Sequence, residues 1–135
     1  MARREGEALN SQLIAAVAVG GALGSVARYL VAIAVGRALG AAFPWGTLII
    51  NIVGSFLIGV FVESFALAWS TSQMVRVFLT VGICGGFTTF STFSLDAIVL
   101  MQRGELWSAA AYIIASVALS ILALYVGLQL VRALA

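Results

Sequence analysis

The chain has 135 residues, of which 63% are hydrophobic and only 9% charged. A soluble domain of this length keeps about a quarter of its residues charged, so the shortfall points to an integral membrane protein. The formal net charge of +2 rests on arginines alone, too few and too scattered for a nucleic-acid surface. Histidine is absent and Cys84 is the only cysteine, which rules out an intrachain disulfide, Cys/His metal clusters and a thiol nucleophile with a His base.

Four apolar stretches are each near or above the ~20 residues that a helix needs to cross a bilayer. They run over about residues 13–35, 46–68, 75–101 and 107–130, joined by short connections. Nothing between them is large enough to fold as a soluble domain, so residues 1–135 read as one all-α transmembrane domain. The leading "MARREGEALN" resembles the start of a signal peptide, but the apolar run after it exceeds the ~7–15 residues of such a segment and reads as a retained helix. Trp45, Trp69 and Trp107 fall at predicted helix ends, where an amphipathic ring favours the headgroup layer. Pro44 precedes the second helix, where a missing N–H costs little.

With four spans, Arg3, Arg4, Arg76 and Arg132 share one side of the membrane and Arg37 and Arg103 the other. Setting the N-terminal pair aside leaves two against two. That balance leaves open both a marginal single topology and insertion in both orientations.

In hydrocarbon a polar side chain needs a partner or a cavity, so polar residues at helical spacing show where each helix looks. In the first span Gly21, Gly24, Ser25 and Arg28 share a face. Arg28 lies well inside that span, and two readings stand: a structural bond to helix-end carbonyls, or a wet vestibule whose positive potential attracts an anion. In the second span Thr47, Asn51, Ser55, Gly59 and Glu63 recur every four residues. Small residues such as Gly20, Gly24, Ser55 and Gly59 often serve only close helix packing. Asn51 differs, because an unsatisfied amide in lipid would cost several kcal/mol. Glu63, one turn from its helix end, reads as interfacial.

The third span carries "GGFTTFSTFS" over residues 85–94. Gly85 and Gly86 lower helix propensity, and Thr88, Thr89 and Thr92 do not restore it. An interruption here would free backbone carbonyls for a cation and N–H groups or hydroxyls for an anion. Phe87, Phe90 and Phe93 are spaced by three and can share a side. Cys84 just before them reads as a small apolar filler. In the fourth span Ser108, Tyr112, Ser116 and Ser120 form a second polar stripe.

The segment "GICGGFTTFSTFS" (82–94) closely resembles the signature of the Fluc/CrcB fluoride channels. "GGALGSVARY" (20–29) and "PWGTLIINIVGSFLIG" (44–59) are also similar to that family, and the likeness runs through the whole chain in order. The resemblance implies a passive fluoride-export channel of a bacterial inner membrane. It implies an antiparallel, dual-topology homodimer with two pores and a third helix broken in its middle. It further implies a structural Na⁺ on the two-fold axis, held by backbone carbonyls at Gly85 and Thr88 of each subunit. Phe90 and Phe93 would turn ring edges to fluoride, with Asn51 and the track Tyr112, Ser116 and Ser120 completing the ion pathway. After "FSTFS" the family shows a small residue and a Glu, whereas this chain has Leu95 and Asp96, so Asp96 stays outside the expected core site. Which of Thr89, Ser91, Thr92 and Ser94 touches the ion is open.

Fluoride is small, strongly hydrated and a powerful hydrogen-bond acceptor, so a pore must replace its water with donors. Hydroxyls and an amide do so without a fixed charge that could trap the ion, and phenyl edges carry the positive end of the ring quadrupole. A buried cation would offset the repulsion of an entering anion. The rival reading is a small multidrug-type proton-coupled antiporter, which needs a membrane-embedded carboxylate where the first helix here has Arg28. A non-conducting assembly subunit is a second rival. No paired catalytic residues suggest an enzyme.

Overall fold

A computed structural model describes residues 10–67 and 69–135. Arg3 and Arg4, which enter the orientation count, lie outside the described residues. Four helical segments, Ser11–Leu39, Trp45–Leu67, Gln73–Gln102 and Leu106–Leu134, are long and apolar enough to cross a membrane. Three of them extend beyond the apolar stretches read from the sequence, while Trp45–Leu67 matches its stretch to within a residue.

Helix α1 (Ser11–Leu39) starts at Asn10, whose side chain accepts the Gln12 N–H at 3.0 Å. It ends at Gly40, whose φ of 82° suits glycine and whose N–H bonds the Gly36 carbonyl. Helix α2 (Trp45–Leu67) follows Pro44 directly. The third segment has several parts. Helix α3 (Gln73–Val77) is capped by Ser72 and runs into a π-helical stretch, Phe78–Cys84. Gly85–Phe87 then form one α-helical turn, α4, and α5 covers Phe90–Gln102. Between them Thr88 (φ −78°, ψ 157°) and Thr89 (φ −154°, ψ 117°) are extended. A tight turn with Gly104 at φ 78° leads to α6 (Leu106–Leu134).

Two glycine-lined seams hold these elements together. In the first, α1 packs on the π-helical stretch and α4. A Cβ added to Gly20 would fall 2.7 Å from the Phe78 carbonyl oxygen, and one on Gly82 2.9 Å from the Gly20 Cα. Gly24 meets the Ile83 carbonyl in the same way, and Gly86 meets Gly21. In the second seam α2 lies along α6, with Gly59 against the backbone of Leu124 and Gly127 against that of Phe56. Backbone contact of this kind maximises dispersion where lipid supplies no hydrophobic drive between helices. The largest apolar side chains accordingly face outward, among them Leu23, Leu30, Ile114 and Ile121, while the central cluster is small: Leu48, Ala97, Leu100, Ala109 and Tyr112.

Some details go beyond the sequence reading or differ from it. Gly85 and Gly86 stay helical and the extended residues fall three positions later, at Thr88 and Thr89. Gly86 is needed for close approach to α1, so its lack of a side chain serves packing. Glu63, one turn from the end of α2, is buried within the protein, its Oε1 accepting from Arg132 Nε at 2.6 Å and so joining the ends of α2 and α6. The π-helical stretch has no signature in the sequence.

Candidate functional site

The extended pair of residues is held by Asn51. The Thr89 N–H donates to Asn51 Oδ1 at 2.8 Å, and Asn51 Nδ2 donates to the Thr89 carbonyl at 3.0 Å. One amide thus satisfies both main-chain groups of one residue, which also fixes its orientation: rotated by half a turn it would set donor against donor. Asn51 reaches Thr89 because α2 approaches the third segment at Gly54, where an added Cβ would strike the Thr88 methyl. Thr89 is buried and in turn caps α5, its Oγ1 accepting the Thr92 N–H at 3.1 Å.

Around this bracket lies a groove of about 470 Å³. One wall is Asn51, Ser55 and Ile58 of α2, and the opposite wall is Ser116, Val117, Ser120 and Ile121 of α6. Gly85, Thr88, Thr89, Phe90 and Phe93 of the third segment complete the lining. The expected residues Asn51, Phe90, Phe93, Ser116, Ser120, Gly85 and Thr88 therefore share one space.

The groove is a donor-rich surface. Ser116 Oγ and Ser120 Oγ are buried and, among the described residues, have no hydrogen-bond partner, an expensive state unless something else fills it. Asn51 Nδ2 keeps one N–H beyond the one given to Thr89. The Phe90 and Phe93 rings sit 5.4 Å apart at a tilt of 47°, and Phe90 is 77% exposed at the open edge. Thr89 gives its N–H to Asn51, so the Gly85 carbonyl loses the donor that a continuous helix would supply. Thr88 turns its carbonyl out of the helix, while its hydroxyl bonds back to the Cys84 carbonyl at 2.9 Å.

Of the four hydroxyls left open by the sequence, only Thr89 lines the groove. Thr89 Oγ1 donates to Thr92 Oγ1 at 3.1 Å and lies 3.3 Å from Ser91 Oγ, and Ser94 bonds back to the Phe90 carbonyl at 2.9 Å. Tyr112 is outside the lining: it is fully buried, stacks behind Phe93 at 5.4 Å, and donates its hydroxyl to Asp96 at 3.1 Å. Asp96 faces a separate cavity of about 240 Å³ with Thr47 and Arg103. Arg28 is half-buried on α1, away from the groove, with no hydrogen bond or ion pair among the described residues. Both acids within the spans are engaged, Glu63 by Arg132 and Asp96 by Tyr112. Among the described residues no cluster of three His, Cys, Asp or Glu side chains could hold a metal. Ser55 was visible in the sequence only as part of a stripe, and its place beside Asn51 in the groove is the signal that singles it out.

The fold and the groove define a small multi-pass α-helical membrane protein with a polar cleft bounded by three of its four spans. Residues 15–128 match the family model described as "CrcB-like protein, Camphor Resistance (CrcB)", and the chain belongs to that family. It is similar to a protein of Nitrobacter winogradskyi called "Fluoride-specific ion channel FluC", with 64% identity over 88% of this chain and 94% of the relative. Proteins of the same name in Agrobacterium fabrum and Rhizobium meliloti are 56% and 54% identical, over 88% and 87% of this chain and 95% and 94% of theirs.

Proposed function

We propose that the chain forms a fluoride-selective channel that lets fluoride leave the cell down its electrochemical gradient, rather than an enzyme or a pump. The observation that carries this reading is the pair of buried, unpartnered hydroxyls of Ser116 and Ser120, facing Asn51 and the Phe90–Phe93 pair across one groove. Such a lining offers donors and ring edges with no fixed positive charge. It suits an anion whose hydration must be replaced and then given up again. The relatives' name, fluoride-specific ion channel, supports the same ion.

The channel works as an antiparallel homodimer. In one chain the groove is open and Phe90 stands largely bare at its edge, so a second copy is needed to close it. The third span acts as a broken helix, with Thr88 and Thr89 as its break. A structural Na⁺ fits the carbonyls of Gly85 and Thr88: the first has lost its helical donor, the second points out of the helix, and both border the groove. Two carbonyls are too few for a cation, so the partner's equivalent pair completes the set. When bound, the ion supplies positive potential beside the pathway. Asn51 holds the backbone that presents these carbonyls, and Ser116 and Ser120 carry the anion.

Purified protein in liposomes loaded with fluoride should release it, as read by a fluoride electrode. Phe90→Ile should cut the rate sharply in a folded dimer, and Na⁺ removal should lower the wild-type rate. Fluoride retention by liposomes containing folded wild-type dimer would reject the proposal.

A further inference from the structure

Helices α2 and α6 point the same way across the molecule, with Gly59 set between Leu124 and Leu128 and Glu63 against Arg132. Stepping back along α2 from Gly59 reaches Ser55 after one turn and Asn51 after a second. Both line the groove, together with Ser116 and Ser120 of α6.

Ser55 could satisfy itself locally, as small hydroxyls in membrane helices often do. Thr80, Thr88 and Ser94 of the third segment all bond back to the carbonyl four residues earlier. Ser55, half-buried, makes no such bond back among the described residues. One turn further on, Gly59 and Gly127 bring the two backbones into contact and end the polar lining. Ser55 is thus the last polar step of the α2 wall, in the same groove as the buried, unpartnered hydroxyls of Ser116 and Ser120.

We propose that Ser55 is a further ligand of the permeant anion, donating its hydroxyl from α2 one turn beyond Asn51. The inference rests on the groove being a fluoride pathway. It makes the α2 wall a track of two steps, Asn51 and then Ser55, in place of a single amide.

The test is fluoride efflux from liposomes with Ser55→Ala, Ser55→Thr and the nearly isosteric Ser55→Val, at matched amounts of folded protein. Alanine is smaller than serine and fits wherever serine fits, so Ser55→Ala reports the lost hydroxyl. We expect about a tenfold or greater fall for Ser55→Ala and Ser55→Val, as for a lost hydrogen bond to a charged group. Ser55→Thr should stay well above Ser55→Val. A wild-type rate in Ser55→Ala, or equal impairment in Ser55→Thr and Ser55→Val, would overturn the assignment. Wild-type protein without efflux would instead remove the channel reading on which it rests.

Discussion

The seam between α1 and the third span and the seam between α2 and α6 are built from the same small residues and do different work. In the first, Gly20, Gly24, Gly82 and Gly86 bring backbones together along its length, and the one hydroxyl, Ser25, lies 3.5 Å from the Gly86 carbonyl. In the second, Gly59 and Gly127 bring the backbones together, and nearby the helices flank a groove where the buried Ser116 and Ser120 hydroxyls have no partner among the described residues. Residue type does not separate packing from function here. What separates them is whether a hydroxyl finds a backbone acceptor, and that depends on how far apart the helices stand.

Substitutions can break this comparison from either side. The largest expected effect is in the packed seam. Gly24→Val would drive a branched side chain into the Ile83 carbonyl and the Phe87 amide, with no flexible neighbour to yield. Overpacking of this kind should cost more than about 3 kcal/mol and leave little folded protein by size-exclusion chromatography in detergent.

Next comes Asn51→Asp at the groove. The carboxylate still accepts the Thr89 N–H, but it loses the donor to the Thr89 carbonyl. Leaving that carbonyl unpaired should cost about 1–3 kcal/mol of stability, and fluoride efflux should fall by more than about tenfold. Intact efflux would show that the Asn51–Thr89 bracket is not needed to shape the groove.

A smaller effect is expected from Glu63→Gln, which removes the charge from the ion pair at the far end of the α2–α6 seam. Arg132 is half-exposed and can turn to the headgroups, so a thermal-melt shift equivalent to about 1 kcal/mol or less should result. A much larger loss would mean that the ion pair, rather than the glycine contacts, holds the seam. Smallest of all is Cys84→Ala. Cys84 is buried in the π-helical stretch with no part in the groove, so stability should fall by about 1 kcal/mol and efflux per amount of folded protein should not change.

Much of the fold was legible in the sequence because bilayer thickness imposes a simple length rule, which located all four spans within a few residues. The two polar stripes were legible as well, since a four-residue repeat on an apolar helix has few causes. The position of the two extended residues was not. Helix propensity pointed to Gly85 and Gly86, whereas the extended residues are Thr88 and Thr89, fixed by an amide from a different helix. Thr89 as a helix cap was the local signal available for that shift. The Glu63–Arg132 pair joins residues far apart in sequence, and neither announces its partner. Tyr112 illustrates the limit of periodicity: it shares the stripe of Ser116 and Ser120, yet its longer side chain carries its hydroxyl to Asp96.

Whether the cleft bounded by α2, the third span and α6 conducts fluoride is read from the reversal potential of the current through purified protein in a planar bilayer, with a fluoride gradient and equal chloride on both sides. The current should reverse at the fluoride equilibrium potential. A current that reverses at zero voltage, or no current from folded protein, would mean that the cleft is not a fluoride pathway.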